Sequence, residues 1–434
     1  MTAHAVILAA GLGTRMKSAI PKCLHPLAGR PMLAHLIDSC TGVFDDITVV
    51  IGPGMDAVAA VAAPHATVVQ TERLGTAHAA LQAAALFGEG DVAILYADNP
   101  LIMPATLMRL LEQRGAAGLA LLAMTPPEPG KYGRVMVEDG LVRRIVEAAD
   151  ATPEELAVGL CNAGVICAAA AAMRRWLEAV RPNAQNGEYY LTDIVALANA
   201  NGVRVVAIEA GFEELRGVNS RAELAAAEAT LQARLRAAAM AGGVTMQAPE
   251  TVFLSYDTQF GQDVTIGPNV VFGPAVSVAD KVEIRAFCDI AGARIAAGAI
   301  IGPFARLRPG TSVGVAAHVG NFVELKATNL GDGAKANHLS YLGDAEIGAR
   351  TNIGAGTITC NYDGVHKHRT TIGMDVFVGS DAVLVAPIGI GDHAFVAAGS
   401  TITQDVEAEA LAFGRARQKT YAGAATELRK RRKT

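Results

Sequence analysis

The sequence predicts two domains of different fold class, α/β plus all-β, joined by one long helix. Three observations predict this. Residues 1 to about 215 alternate short apolar runs with alanine-rich stretches of helix length. From about residue 264 onward, aliphatic residues recur every six positions. Between them runs "NSRAELAAAEATLQARLRAAAMAGG" (219–243), built of strong helix formers and closed by two glycines.

Length and composition agree. At 434 residues the chain exceeds what one hydrophobic core usually supports. It is 51% hydrophobic and only 18% charged, so a folded protein is expected rather than a disordered one. No apolar run reaches the ~18 residues that would span a bilayer. The N-terminus enters strand-like sequence at once, without a basic leader and cleavage site. Six scattered cysteines (Cys23, Cys40, Cys161, Cys167, Cys288, Cys360) include no C-x-x-C pair, which excludes a zinc ribbon and fits a reducing cytoplasm. A net charge of −5 argues against a nucleic-acid partner. The basic block "RKRRK" (429–433) reads as a solvated tail.

In the first half, "ITVVIG" (47–52), "ATVVQ" (66–70), "DVAILYAD" (91–98), "LALLAM" (119–124) and "VRVVAIE" (203–209) read as strands, with helices near 76–87 and 104–114. Strands separated by helix-length segments imply a mostly parallel sheet covered on both faces, with ligands at the strands' carboxyl ends. Gly11 and Asp98 both sit at such ends. The opening stretch, "AVILAAGLGTRMKSAIPK" (5–22), is a strand feeding a glycine-rich turn with Arg15, Lys17 and Lys22 behind it. That pattern suits a phosphate: Gly11 and Gly13 let backbone N–H groups approach it, and the cations neutralise its charge. It lacks the G-x-x-x-x-G-K-[ST] of a P-loop and the third glycine of a dinucleotide fingerprint. Lys17 reads as solvated, and His25, His35 and His78 as packing or surface residues.

The linking helix should start at a capping box formed by Ser220 and Glu223 and stop at Gly242–Gly243, giving about twenty residues and ~30 Å. Beyond it, Ile266, Phe272, Val278, Ile284 and Ile290 are six apart. After a one-residue slip the step of six continues through Ile295, Ile301, Leu307, Val313, Val319 and Leu325. It restarts at Ile372 and runs through Val378, Leu384, Ile390, Val396 and Ile402. Neither an α-helix nor a flat strand repeats at six. A coil with three flat faces does, because one aliphatic residue points inward per face; this is the hexapeptide β-helix signature. Residues 264–406 would supply about eight turns. Residues 361–371, "NYDGVHKHRTT", leave the pattern and return, as an insertion on a binding face does.

On its motifs the chain resembles, over nearly all its length, the bacterial bifunctional N-acetylglucosamine-1-phosphate uridyltransferase / glucosamine-1-phosphate acetyltransferases. "LAAGLGTRM" (8–16), "PK" (21–22), "QTERLGTAHA" (70–79), "LYAD" (95–98), "YGRV" (132–135) and "GVNS" (217–220) carry the resemblance in the first half. "GPFARLRPG" (302–310), "HVGNFVELK" (318–326), "YLGDAEIG" (341–348) and "NIGAGTITCNYDG" (352–364) carry it in the second. The resemblance implies a Rossmann-like uridylyltransferase domain over 1–219, a linker helix over 220–243, and a left-handed parallel β-helix acetyltransferase domain over 244–434. It also implies a cytoplasmic homotrimer with no membrane span.

The same resemblance implies the site residues. Arg15 and Lys22 would serve uridylyl transfer from UTP, with Asp98 and Asn219 as Mg²⁺ ligands. Leu8, Ala9, Ala10, Gly11, Gln70, Gly75, Thr76, Tyr96 and Ala97 would hold the nucleotide, and Gly133, Glu147 and Asn162 the sugar phosphate. His338 would be the base for acetyl transfer, suited by a side-chain pKa of ~6.5, with Glu324 expected to orient it. Arg308, Lys326, Tyr341 and Asn352 would bind glucosamine-1-phosphate. Ala355, Asn361, Tyr362, Ser380, Ala398 and Arg415 would bind acetyl-CoA. His366 and His368 form an H-x-H that reads as solvated loop, without carboxylate neighbours. The alternative is a monofunctional sugar-1-phosphate nucleotidyltransferase whose β-helix serves only oligomerisation.

Overall fold

The computed structural model describes residues 2–432. Contacts divide the chain into two compact units, one ending at Ala233 and the other beginning at Arg234, so the division falls inside the long helix Arg221–Ala241.

The first unit is built on nine strands: β1 (Ala3–Leu8), β2 (Asp46–Ile51), β3 (Ala66–Val69), β4 (Asp91–Tyr96), β5 (Leu119–Met124), β6 (Arg134–Glu138), β7 (Leu141–Val146), β8 (Cys161–Ala169) and β9 (Val205–Glu209). They form one sheet in the order β9-β5-β8-β4-β1-β2-β3, with β6 paired to β8 and β7. Both faces are buried, and alternate residues of β1 show it. Ala5 and Ile7 join a core with Leu33, Leu36 and Val49, while Val6 joins another with Ala80, Val50 and Ile94. The predicted helices form at Thr76–Gln82, continued by a tight turn at Ala84–Leu86, and at Pro104–Ala116, where proline occupies the first turn. The sequence reading passed over β8, which lies antiparallel between β4 and β5. Its run "CNAGVICAA" is almost wholly buried, and a continuous apolar stretch has no period by which to recognise it.

The long helix starts differently from the expected box. The Glu223 amide donates to the Ser220 hydroxyl (3.2 Å), but the Glu223 carboxylate accepts from the amide of Asn219 (2.7 Å) rather than that of Ser220. The helix ends at Gly243 (φ +99°): the Val244 amide reaches the Ala239 carbonyl (3.1 Å) and the Gly243 amide the Met240 carbonyl (3.1 Å).

The second unit is a parallel β-helix. Strands of two to four residues stack into three sheets of ten, eight and eight, and, the two ends of the ten-stranded sheet apart, successive strands of a sheet are three strands apart in the chain. In the ten-stranded sheet Thr265 pairs with Glu283, one coil on. All seventeen residues of the predicted ladder are buried in one continuous core. Leu330, Ala336, Leu342, Ile347 and Ile353 continue that ladder through the region where the pattern had faded. Corners fall at left-handed residues six apart, such as Asp263, Asn269, Ala275 and Lys281 (φ +57 to +59°). A non-glycine residue there costs about 1–2 kcal/mol. Fully burying one aliphatic side chain per face returns about 1.5–3 kcal/mol, enough to carry the corner. The exposed rings of Phe287, Phe304 and Phe322 occupy one corner in three successive coils and stack at 4.8 and 5.1 Å. Of the predicted basic tail, Arg429, Lys430 and Arg431 end the helix Ala424–Arg431, none of whose residues is buried; the tail's last residue, Lys433, lies outside the described residues.

Candidate functional sites

In the first unit the turn after β1 lies beside the end of β4, where the Ala97 amide donates to the Leu8 carbonyl (3.1 Å). The two glycines have different jobs. Gly13 is left-handed (φ +62°), and a β-carbon there would lie 2.5 Å from Cβ of Lys22. The sequence reading gave Gly11 the same conformational role. Gly11 is not left-handed, and a β-carbon on it would meet nothing within 4 Å, so its bare backbone faces open space. Gly75 (φ +113°) is required because a β-carbon would strike the Tyr189 backbone at 2.6 Å.

The cations and oxygens meet at one point. The Lys22 ammonium forms an ion pair with Asp98 and donates to Oδ1 of Asn219 (2.8 Å), and Arg15 donates to the same Asn219 oxygen (2.9 Å). Asn219 is held there from both sides: the Val218 amide donates to the Asp98 carbonyl (2.8 Å), and Asn219's own amide is bound by Glu223. Two oxygens that already share one ammonium can converge on a metal cation. Mg²⁺, which takes few protein oxygens and fills its shell with phosphate and water, fits this pair.

Two of the cavities that border the cluster carry the expected reactant contacts. One, of about 360 Å³, is lined by Leu8–Gly11, Gln70, Gly75, Thr76, Tyr96 and Ala97. The other, of about 300 Å³, is lined by Gly133, Glu147 and Asn162. Arg15, Thr76, Tyr96, Asp98 and Asn219 border both. Burial pushes the Glu147 carboxyl up, against a hydrogen bond from Thr192 (2.9 Å) that favours the carboxylate. Burial also raises the Tyr96 phenol. Cys23 borders the first cavity, but burial drives its thiol up to about 11, so it is no nucleophile near neutrality. Lys17 is exposed, as expected. His25, His35 and His78 bond Arg221, the Leu27 carbonyl and two glutamines, respectively.

In the β-helix, His338 ends the strand Lys335–His338 at one corner, exposed. Ala355, Ser380 and Ala398 follow on that corner in successive coils: the Asp381 amide donates to the Ala355 carbonyl (2.7 Å) and the Gly399 amide to the Ser380 carbonyl (2.8 Å). Arg308 and Lys326 lie at the opposite end of the adjoining face, which also carries Tyr341. Asn352 belongs to a different sheet and is not beside Tyr341. Asn361, expected among the acetyl-CoA residues, sits instead with a cation expected to bind the sugar phosphate, bound to Asp344 beside Lys326 (3.2 Å from the same carboxylate). Tyr362 lies exposed in the inserted loop, and Arg415 is exposed beyond the last coils.

Two expectations are corrected. Glu324 does not touch His338; it accepts from Arg308 (2.9 Å) and lies 3.7 Å from Arg306, because strand pairing places it among arginines. Instead, Nδ1 of His338 bonds Oδ1 of Asn321 (2.7 Å). The H-x-H does have a carboxylate neighbour: Asp363 binds the ring of His368 (2.6 Å). The backbone amide of His366, then that ring, hold the Asp363 carboxyl down at about 2. That contact closes the loop on itself.

Residues 5–205 match a family described as "MobA-like NTP transferase domain". Over 427 residues, 98% of each chain, the sequence is 64% identical to the bifunctional protein GlmU of Acidiphilium cryptum. It is 65% identical to that of Gluconacetobacter diazotrophicus, over 99% of this chain and 95% of that one. The chain belongs to the bifunctional GlmU family. It is accordingly a transferase with two activities, nucleotidyl transfer and acetyl transfer.

Two groups in this GlmU-family chain escaped the sequence reading. Arg73 donates to the Ala10 carbonyl (2.8 Å) and borders the first cavity; its motif position was noted, but nothing local marked it as reaching 63 residues back. Lys367 lies in the inserted loop, close enough to Lys326 for the two cations to repel. Lys367 is lowered by its cationic neighbour, and Lys326 keeps an ion pair with Asp344. The signal for Lys367 was the insertion itself, where only the H-x-H had been read as solvated loop.

Proposed function

We propose that the β-helix unit transfers acetyl from acetyl-CoA to the amine of glucosamine-1-phosphate. The first unit then transfers uridylyl from UTP to N-acetylglucosamine-1-phosphate, releasing pyrophosphate. The observation that carries the uridylyl assignment is the cluster of Arg15, Lys22, Asp98 and Asn219 at the border of two cavities, one for each reactant.

In uridylyl transfer a phosphate oxygen of the sugar attacks the α-phosphorus as pyrophosphate departs. Such transfer is mostly positioning and charge neutralisation. Arg15 and Lys22 leave their contacts on Asn219 for the phosphates, and the open backbone at Gly11 admits the nucleotide. Mg²⁺, held by Asp98 and Asn219, would neutralise further phosphate charge. Glu147, Asn162 and Gly133 orient the sugar.

In acetyl transfer the amine nitrogen attacks the thioester carbonyl, a C–N bond forms, and the C–S bond breaks to release the CoA thiol. His338 takes the proton the amine sheds. Arg308, Lys326 and Lys367 bind the sugar's phosphate. The ladder Ala355–Ser380–Ala398 offers small side chains along which an extended thioester can lie. Tyr341 and Asn352 project from different faces, and a homotrimer, with a second copy completing the site, accounts for that. Free cysteines and these substrates suit a cytoplasmic enzyme.

The test is to incubate the protein with glucosamine-1-phosphate, acetyl-CoA, UTP and Mg²⁺, following thiol and pyrophosphate separately while each substrate is omitted in turn. Pyrophosphate release should require prior thiol release. Thiol release absent under all conditions would instead support the monofunctional nucleotidyltransferase, which kinship with bifunctional relatives disfavours.

A further inference from the structure

We infer that Asn321 is the positioning residue of the acetyl-transfer site, fixing His338 as the tautomer with its lone pair on Nε2. The inference rests on the reading of His338 as the base.

Asn321 ends the strand His318–Asn321 as His338 ends the next strand of the same sheet, and the parallel register pairs the two residues directly. Each is followed by a left-handed corner residue, Phe322 (φ +55°) and Leu339 (φ +49°). Identical corner geometry one coil apart sends both side chains off the same edge, and the resulting contact is short, 2.7 Å from Nδ1 to Oδ1. The main chain repeats the tie: the Leu339 amide donates to the Asn321 carbonyl (3.0 Å).

The chemistry follows from what an amide oxygen can do. It only accepts, so Nδ1 must carry the proton, and Nε2 is left as the basic nitrogen. The carboxylate expected to orient the ring, Glu324, is committed to Arg308 and Arg306. An uncharged partner orients the ring without adding a negative charge beside it. Of the titratable groups on the same sheet, His318 interacts with His338, and substitution at 321 leaves it in place.

The experiment uses the full chain, with thiol release as readout and pyrophosphate release as the internal control for folding. Asn321→Ala should lower kcat for acetyl transfer about 10–100-fold. KM for acetyl-CoA should change less than twofold, and uridylyl transfer should not change. Asn321→Asp keeps the acceptor and adds charge. It should restore most of kcat and move the acid limb of the kcat/KM profile to higher pH. The inference is overturned if Asn321→Ala stays within twofold of the parent with the same acid limb. It is also overturned if Asn321→Asp gives neither rescue nor shift, which would leave Asn321 a fold residue only. A shifted limb in Glu324→Gln but not in Asn321→Asp would hand the role to Glu324. His338→Ala separates the two levels: loss of thiol release supports the base, whereas survival overturns the reading of the base itself.

Discussion

The two units solve the problem of building a site in opposite ways. In the first, segments from residues 11–22, 97–98 and 217–219 are drawn to one point at the ends of β1 and β4, and the cationic and acidic groups already touch. In the β-helix no such convergence occurs. The site residues are laid out at fixed steps along a corner and across one face, from His338 to the Arg308–Lys326–Lys367 cluster. A strand-end site can be complete within one unit. A solenoid presents only convex faces, so its residues form a line along the surface, which the proposed homotrimer would cover.

The sharpest way to break this comparison is to strike the converged point. Asp98→Ala removes the carboxylate at the hub, and uridylyl transfer should fall about a thousandfold while thiol release stays within twofold. An equal loss of both activities would show that the units are not separable. His338→Ala is the mirror experiment, expected to lower thiol release about 10²–10⁴-fold and to leave pyrophosphate release from N-acetylglucosamine-1-phosphate unchanged.

Lys367→Ala tests whether the line of residues works as dispersed parts. KM for glucosamine-1-phosphate should rise about tenfold with kcat nearly unchanged, the loss of one charged contact. A fall in kcat alone would place Lys367 elsewhere in the mechanism.

The smallest effect concerns Glu147. Its carboxyl is raised by burial, so the folded unit holds the proton more readily than the unfolded chain. The linked stability is full below the ordinary glutamate range and declines as pH rises through the raised value. Glu147→Gln lacks that decline. Its melting temperature near neutrality should exceed the parent's by about 2 °C, and the gap should close on acidification. KM for the sugar phosphate should rise at the same time. A gap that widened in acid would reverse the assigned sign.

How much of this was legible in the sequence depended on whether the signal was periodic or local. The seventeen-residue ladder was readable because each member is a large aliphatic residue forced inward once per face. It faded after Leu325, where five-residue steps intervene (Leu325 to Leu330, Leu342 to Ile347) and Ala336 and Thr359 take inward positions that hydrophobicity barely marks. β8 was missed for the opposite reason, too uniform an apolar run. In the site, Asp98 and Asn219 stand in recognisable motifs. The contact between His338 and Asn321, by contrast, depends on strand register, and the sequence suggested Glu324 instead. Arg73 and Lys367 act across distances that no local pattern encodes.

The inserted loop leaves after Cys360 and returns so that Ala345 pairs with Thr370, and every later rung stays in phase. Length changes in this solenoid are therefore quantised. Excising six residues below the loop would rotate all that follows by a third of a revolution, moving Ser380 and Ala398 off the edge they share with His338. Removing a whole revolution would shorten the column and leave that alignment intact. Lineages can thus trim or extend such a scaffold only in complete storeys, or by hanging new segments outside the wall.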